Sequence, residues 1–205
     1  MLATLEGLLQ AAVLTLIALG LSLVFGVMRI VNVAHGEFYM LGAVIAWFVA
    51  SLLSLHPAIG FFLALVISPL LVGLVAYASE RLILKRLKYD PEATIVATIG
   101  MLYVIQQVVL IGFGPDARPV EAPFYYRIRL PWFGYSAYNL FVMAAAVVLL
   151  IGCWYILTRT RLGLIMRATQ FDSETAQAFG IPVDKVYGYV FAAGAMLAAV
   201  AAVLI

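Results

Sequence analysis

The residues of this sequence that are capable of chemistry are few, and their spacing excludes most kinds of catalytic or metal site. The histidines are His35 and His56 and the single cysteine is Cys153, which excludes an internal disulfide and argues against a metal centre of several His and Cys ligands. No G-x-x-x-x-G-K-[ST] phosphate loop occurs. Ser22 lacks the second glycine of a G-x-S-x-G nucleophile elbow. We therefore predict no catalytic residue, no metal and no other cofactor.

The elements that must position any functional residue are long apolar runs. Hydrophobic residues make up 66% of the 205 residues and charged residues 11%, against roughly 45–50% and about 25% in soluble domains. A helix needs about 20 apolar residues to cross a bilayer, and only helices and closed barrels can cross it. The composition therefore predicts an all-α, polytopic transmembrane helix bundle and excludes a soluble protein or a nucleic-acid binder. Six runs without Asp, Glu, Lys or Arg are the predicted spans: 7–28, 38–55, 59–79, 93–113, 137–158 and 186–205.

Basic residues are unevenly divided between the two sides of the predicted membrane. With six spans, the connections 29–37, 80–92 and 159–185 share one side and hold nine of the 12 basic residues, whereas 114–136 holds the other three. Cytoplasmic loops carry an excess of Lys and Arg, so we predict that the first side is cytoplasmic and that the N-terminus lies outside. The sequence leaves open whether 29–37 is a loop or a break within the membrane.

Uncharged polar residues within the runs are the candidates for a solute path. Gln106 and Gln107 are the strongest candidates, because adjacent helical residues point about 100° apart and cannot both face one packing partner. The alternative is that such amides only join helices by hydrogen bonds. Small residues such as Gly20 and Gly26 fit either packing within one bundle or a subunit interface. Because no run contains a charge, an ion-coupled transporter or channel is the second hypothesis rather than the first.

Three connecting segments carry further predictions. In 159–185, Asp172 or Ser173 can cap a short helix at about 172–179, Glu174 suits its first turn, and Gly180 can end it in a left-handed conformation. This helix either docks on a soluble partner or rests on the lipid surface. The segment 80–92 predicts a basic interfacial helix, and the Pro-rich and aromatic loop 114–136 predicts anchoring at the opposite interface.

Several motifs resemble one family in order along nearly the whole chain. Residues 31–43, VNVAHGEFYMLGA, follow 19–26, LGLSLVFG, and resemble the first-span signature of LivH-type permeases, the membrane subunits of branched-chain amino-acid ABC importers. Two further stretches agree with that family: ATIGML at 97–102 with FGPD at 113–116, and RLGLIMRA at 161–168 continuing to Gly180.

The resemblance implies an inner-membrane, multi-pass permease that is not itself an enzyme. Its implied partners are a homologous second permease subunit, cytoplasmic ATP-binding subunits and a periplasmic solute-binding protein, besides the lipid bilayer. It also implies that residues 1–205 form one transmembrane permease domain, and that further spans follow Ile205 in the natural protein. The solute would be a branched-chain or other small amino acid.

The resemblance also assigns roles to particular residues. The cytoplasmic segment 159–185 would be the ATPase-coupling segment, with Arg161, Gly163, Arg167, Glu174, Ala176 and Gly180 as its candidate residues. The signature residues without an assigned role are Asn32, His35, Gly36 and Glu37. For His35 and Glu37 we expect a shared proton or a hydrogen bond at a helix break, with Arg29 neutralising Glu37.

Overall fold

The computed structural model describes residues 2–53, 57–116, 120, 123, 126–129 and 134–205. In chain order the elements are α1 (Leu2–Met28), α2 (His35–Leu53), α3 (Pro57–Ser79), α4 (Pro91–Phe113), β1 (Arg127–Arg129), β2 (Gly134–Ser136), α5 (Ala137–Arg159), α6 (Arg161–Phe171), α7 (Ser173–Ala178) and α8 (Val183–Leu204). A π-helical turn, Glu80–Leu84, continues α3, and the two short antiparallel strands precede α5.

Six of the helices in the described part of the chain are long and apolar enough to cross a membrane: α1, α2, α3, α4, α5 and α8. This confirms the predicted all-α bundle, because each apolar run lies on a different one of these helices. Run 186–205 extends one residue past the end of α8, and the last two residues of run 38–55 lie outside the described residues. The helices extend beyond the runs, however, and take in acidic residues. Glu37 lies in the first turn of α2, and Glu80 lies in the π-helical turn that continues α3. The prediction that no span carries a carboxylate is therefore wrong, because helical hydrogen bonding does not stop at the first charged residue.

Helix α8 occupies the centre of the bundle. In its most apolar stretch 61% of the residues are buried, compared with 17% in α4 and 11% in α5. Helices α1, α2 and α3 surround α8, and glycines allow the close approach. A Cβ at Gly42 would lie 2.7 Å from the Cα of Ala199, and one at Gly73 would lie 2.6 Å from the side chain of Met196. Small residues here serve packing within the chain, whereas α4 and α5 keep open faces.

The segment after α3 differs from the predicted basic interfacial helix. Only the π-helical turn is helical, and the chain then folds back through Lys88 and Tyr89, both with positive φ, before α4 begins. The hydroxyl of Tyr89 donates to Oε1 of Glu80 at 2.6 Å, and Glu80 is completely buried. The predicted helix is wrong because a buried carboxylate needs partners, and the turn brings one to it.

The loop between α4 and α5 is described only in part. Its described residues include the pair β1–β2, in which Ile128 lies opposite Tyr135. The sequence did not predict these strands. Most of the aromatic residues expected to anchor this loop lie outside the described residues: Phe124, Tyr125, Trp132 and Phe133.

Candidate functional site: a helix break and a pair of short helices

Helix α1 and helix α2 are separated by residues 29–34, which are not helical and which we call the re-entrant segment. The segment is not a surface loop. Ile30, Asn32 and Ala34 are buried, whereas Val31 and Val33 are exposed on the other face. This alternation is that of an extended chain with one face against the helices.

The re-entrant segment leads back into the bundle. Nε2 of His35, the first residue of α2, lies 3.0 Å from the carbonyl oxygen of Ile17. Ile17 precedes Met28, the last residue of α1, by 11 residues, which corresponds to about 16 Å along a helix. The hydrocarbon layer is about 30 Å thick, so α2 begins near the middle of α1. The sequence left open whether 29–37 is a loop or a break within the membrane. In the structure these residues form a break within the helix bundle.

Two of the signature residues fix this break. Oδ1 of Asn32 accepts the amide of Ala34 at 3.1 Å, and the carbonyl of Asn32 accepts the amide of His35 at 3.3 Å. On the other side, the amide of Val33 donates to Oγ1 of Thr98 on α4 at 3.3 Å. A carbonyl oxygen can only accept, so Nε2 of His35 carries the proton that is shared with Ile17. The expected hydrogen bond at a helix break is thus present, between His35 and α1.

Glu37 is not neutralised as expected. Nη2 of Arg29 donates to the carbonyl oxygen of Gln170 at 3.2 Å, not to Glu37, so the predicted neutralisation is wrong. The reason is geometric: Glu37 lies within the bundle beyond the re-entrant segment, whereas Arg29 remains at the end of α1. Within the described residues, Oε2 of Glu37, Nδ1 of His35 and Oγ1 of Thr94 are buried without a hydrogen-bond partner. The first turn of α2, directly after the break, therefore holds two buried polar atoms without a hydrogen-bond partner among the described residues. Gly36 is exposed, and a Cβ there would meet nothing within 4 Å.

The predicted path residues lie elsewhere. Gln106 and Gln107 are both exposed on α4, so neither is used to pack α4 within the described chain. Their neighbours Ile105 and Val108 line an apolar groove of about 580 Å³ between α2, α3 and α4. The structure does not bring the two amides together with the polar atoms of the break. They lie on the open face of α4.

The predicted coupling segment, 159–185, folds into two helices between α5 and α8. The carboxylate of Asp172 caps α7 by accepting the amides of Glu174 and Thr175 at 3.0 and 3.1 Å, and it also accepts the Thr175 hydroxyl. The Thr175 hydroxyl and amide hold the pKa of Asp172 below its usual value. Gly180 adopts φ +84°, and its amide donates to the carbonyl of Gln177 at 2.9 Å. The predicted short helix, its cap and its left-handed end are thus present.

Helix α6, which precedes α7, is not among the elements predicted from the sequence. Oγ1 of Thr160 caps it by accepting the amide of Gly163 at 3.3 Å. Gly163 is buried against the end of α5, where a Cβ would lie 2.5 Å from the carbonyl oxygen of Ile156. The available signal was the spacing of Leu164, Ala168 and Phe171, which places apolar residues on one face of a helix.

The six candidate coupling residues divide into two kinds. Gly163 and Ala176 are buried and serve packing. The other four are exposed: Arg161, Arg167, Glu174 and Gly180. The sequence indicates Phe179 as part of a small apolar surface on this helix, but it does not single out Phe171. These are the most exposed apolar side chains of the surface, at 84% and 89% exposed. Both line a groove of about 620 Å³ formed by α6, α7 and Ile181.

These features define the class of protein. Six membrane-length helices, one of which begins within the bundle after a buried non-helical segment, form the interrupted-helix architecture that transporters use near their solute sites. Among the described residues, no group of three or more His, Cys, Asp or Glu could hold a metal ion. The protein is a polytopic membrane protein with a transporter-like helix break.

The chain belongs to the family described as "Branched-chain amino acid transport system / permease component", whose model matches residues 3–205. This is a family of transport permeases and not of enzymes. Among curated proteins, the chain is 28% identical to the high-affinity branched-chain amino acid transport system permease protein BraD of Pseudomonas aeruginosa, over 98% of this chain and 68% of that protein.

Two further relatives have similar descriptions. The chain is 27% identical to the high-affinity branched-chain amino acid transport system permease protein LivH of Escherichia coli K12, over 98% of this chain and 68% of the relative. It is 26% identical to the probable branched-chain amino acid transport permease protein LivH of Methanocaldococcus jannaschii, over 88% of this chain and 58% of the relative. No solved structure matches the chain.

Proposed function

We propose that this protein is the membrane-spanning permease subunit of an ATP-binding-cassette importer, and that it carries branched-chain or other small amino acids across the cytoplasmic membrane. Family membership over residues 3–205 is the observation that carries the proposal. The relatives named above are described as branched-chain amino acid permeases, which supports this solute class. In this proposal residues 1–205 act as one transmembrane permease domain.

The energy source in this proposal is a separate ATPase subunit that docks on α6 and α7. Phe171 and Phe179 expose large apolar side chains beside the groove of about 620 Å³, and exposed apolar patches commonly mark interaction sites. Arg167 lines the same groove, and Arg161 and Glu174 are also exposed on these helices, so they would supply a charged rim. Gly163 packs α6 against the end of α5, and Ala176 is buried in α7.

The other proposed partners occupy the remaining faces. A homologous second permease would cover the open faces of α4 and α5, which leaves Gln106 and Gln107 at the junction of the two subunits. A solute path there would pass these amides and the unused polar atoms at the break near Asn32, His35 and Glu37. A periplasmic solute-binding protein would deliver the amino acid on the side of the N-terminus, which we place outside from the distribution of basic residues.

Two substitutions test whether α6 and α7 couple to the ATPase. One reverses the charge of Glu174, and the other replaces Gly180, which has a left-handed backbone conformation. Glu174→Lys opposes the helix dipole and alters the docking face, and Gly180→Val forces a β-branched residue into a left-handed conformation at a cost of about 1–2 kcal/mol. Both variants should lose ATPase retention on purification and ATP-driven leucine uptake in the reconstituted transporter.

Each variant has a matched control. Glu92 also lies in the first turn of a helix, α4, and is exposed, so Glu92→Lys incurs the same dipole penalty outside the coupling segment. Gly180→Asn keeps a residue that tolerates the left-handed region. Both controls should transport normally. Normal ATPase retention and uptake by both test variants would mean that α6 and α7 rest on lipid instead.

The path assignment has its own test. Gln106→Leu and Gln107→Leu remove the two exposed amides without changing the apolar character of α4. Uptake and the preference among branched-chain amino acids should both change in the assembled transporter. If neither changes, the amides contribute only hydrogen bonds to a neighbouring helix.

The second candidate function is an ion-coupled transporter or channel. The observation in its favour is Glu37, which is a carboxylate within a membrane-length helix and has a buried oxygen without a hydrogen-bond partner among the described residues. Reconstitution distinguishes the two functions. Uptake that requires ATP hydrolysis supports the importer, whereas uptake driven by an ion gradient without ATP supports the alternative.

A further inference from the structure

Arg29 lies where two helices end. It follows the last residue of α1, its amide donates to the carbonyl of Phe25 at 2.9 Å, and its φ is +57°. Its guanidinium donates to the carbonyl of Gln170, one residue before the end of α6. The carboxyl end of a helix has unpaired carbonyls and a partial negative charge, so it stabilises a cation. Arg29 therefore has favourable electrostatic contacts with the ends of both α1 and α6.

The carbonyl of Gln170 is available because α6 stops. In a continuous helix the amide of Glu174 would donate to it. Here that amide donates to Oδ1 of Asp172 at 3.0 Å instead. The interruption that starts α7 thus frees the acceptor that Arg29 uses. The contact marks the α6–α7 junction rather than an arbitrary point on α6.

Arg29 is also the first residue of the re-entrant segment, so the contact with Gln170 lies at the start of that segment. Ile30 is 1% exposed, the Asn32 side chain accepts the amide of Ala34 just before α2, and His35 is hydrogen-bonded to Ile17. The segment is held at its far end by these contacts and by Thr98 on α4. A buried, hydrogen-bonded segment cannot absorb a displacement of Arg29 as a free loop would.

We propose that Arg29 is a positioning residue that transmits movement of the α6–α7 junction to the re-entrant segment, and so to the polar atoms around His35. The inference rests on the proposed function, in which α6 and α7 receive the ATPase stroke. The last turn of α1 also lies close to the same junction, because a Cβ added at Gly26 would be 3.9 Å from Nε2 of Gln170.

The first experiment removes the side chain of Arg29 in the reconstituted transporter. Arg29→Ala should lower ATP-driven leucine uptake by about tenfold, the factor that corresponds to losing a hydrogen bond to a charged group. ATPase retention and basal ATP hydrolysis should stay at the wild-type level, because the docking face of α6 and α7 is unchanged. Arg29→Lys, which keeps one donor and the charge, should restore part of the uptake.

Two controls separate the contact from charge and from general disruption. Arg86→Ala removes an exposed basic residue from the segment 80–92, on the same predicted side of the membrane. Gln170→Ala removes a side chain but keeps the backbone carbonyl that Arg29 uses. Both variants should transport normally. Arg29→Gly tests the backbone, since glycine adopts positive φ freely, and should fail like Arg29→Ala.

The decisive measurement is rescue by a covalent bridge. Gly26→Cys and Gln170→Cys are combined with Arg29→Ala in a Cys153→Ser background and joined by a short, reducible bifunctional thiol reagent. If movement passes through this junction, the bridge replaces the lost contact, so uptake should recover on bridging and fall again on reduction.

The outcomes separate the inference from the function on which it rests. Normal uptake by Arg29→Ala, normal uptake by Arg29→Gly, or failure of the bridge to restore uptake overturns the role of Arg29, even if transport remains ATP-driven. Wild-type uptake that does not need ATP overturns the proposed function itself. Lost ATPase retention in Arg29→Ala also overturns the inference, because Arg29 would then support the docking face.

Discussion

Gly20 allows two contacts that hold the break in place. A Cβ at this position would lie 2.5 Å from the carbonyl oxygen of Gly194 on α8 and 3.2 Å from Cε1 of His35. One at Gly194 would lie 2.7 Å from the carbonyl oxygen of Gly20. The absence of a side chain therefore lets α1 and α8 touch and leaves room for the histidine ring. Small residues permit such close backbone approach in lipid, where no hydrophobic force drives helices together.

Adding a methyl group at this crossing should destabilise the bundle. Gly20→Ala places a Cβ where backbone atoms already lie, so we expect a loss of about 1–3 kcal/mol, the usual cost of overpacking. The measurement is the thermal unfolding midpoint in detergent. Gly7→Ala is the matched control on the same helix, because a Cβ there would meet nothing within 4 Å. Equal midpoints for the two variants would show that α1 and α8 do not meet as described.

Glu80 is a buried carboxylate with a small set of partners. Tyr89 donates to Oε1 at 2.6 Å, Nε of Arg81 lies 3.8 Å from Oε2, and Oε2 has no hydrogen-bond partner among the described residues. Burial is the main reason that the pKa of Tyr89 is raised, and its hydrogen bond to Glu80 adds to the shift. The Tyr89 hydroxyl thus remains a donor at all physiological pH values, as the carboxylate requires.

Removing that donor should destabilise the fold. Tyr89→Phe leaves a buried acceptor with one partner fewer, at a cost of about 1.5–3 kcal/mol for a hydrogen bond to a charged group. In a double-mutant cycle, Glu80→Gln should reduce the effect of Tyr89→Phe, since the lost bond would then be neutral. Tyr103→Phe, on the exposed face of α4, is the control. Additive effects on the unfolding midpoint would contradict a direct bond.

The stability of helix α7 depends on its N-terminal cap, because the helix is only six residues long. A helix this short is unstable alone, since nucleation fixes several residues for one hydrogen bond. The Asp172 carboxylate satisfies two of its free amides, and Gly180 closes the other end with positive φ. The surface that presents Phe179 is therefore organised by the residues at the two ends of α7.

The cap should make protection of α7 depend on pH. The pKa of Asp172 is lowered in the folded chain, so its stabilisation is complete above its ordinary value of 3.8 and is lost as pH falls below that value. Amide hydrogen exchange at Glu174 and Thr175 should therefore accelerate in acid beyond its intrinsic pH dependence. Asp172→Ala should show fast exchange at every pH. Asp172→Asn caps about as well but does not titrate, so its protection should not change with pH.

For the molecule as a whole, the distribution of charge predicts an orientation of the bundle in the membrane. Helix α5 separates the β1–β2 pair from α6 and α7, so a spanning α5 places the two regions on opposite sides. Nine of the 12 basic residues lie on the side of α6 and α7. We therefore expect the cytoplasm on that side and the N-terminus outside.

Site-specific labelling tests this orientation. In a Cys153→Ser background, Ser173→Cys should react with an impermeant thiol reagent only from the cytoplasmic side, and Ser136→Cys only from the outside. Both positions are partly accessible at the ends of α7 and α5. Labelling of both from one side would contradict a spanning α5, and labelling from the reversed sides would contradict the orientation alone.

Features that depend only on residues close together in the chain could be predicted from the sequence alone. The lengths of the apolar runs identified the six membrane helices, because a span must match the thickness of the hydrocarbon layer. Asp172 and Gly180 identified both ends of α7, because capping involves residues within a few positions of each other. The motifs around 31–43 and 161–168 also indicated the family that the model match over residues 3–205 confirmed.

Three features could not be predicted from the sequence and follow from the tertiary structure. They are the depth of the re-entrant segment, the burial of Glu80, and the contact of Arg29 with Gln170 instead of Glu37. Arg29 and Gln170 are 141 positions apart, and apolar runs or charge counts carry no information about which distant helix ends will meet. The depth of α2 depends on His35 reaching α1, which in turn depends on Gly20 and Gly194 lying against each other. Such contacts are set by the shapes of packed helices, which no local pattern of residue types specifies.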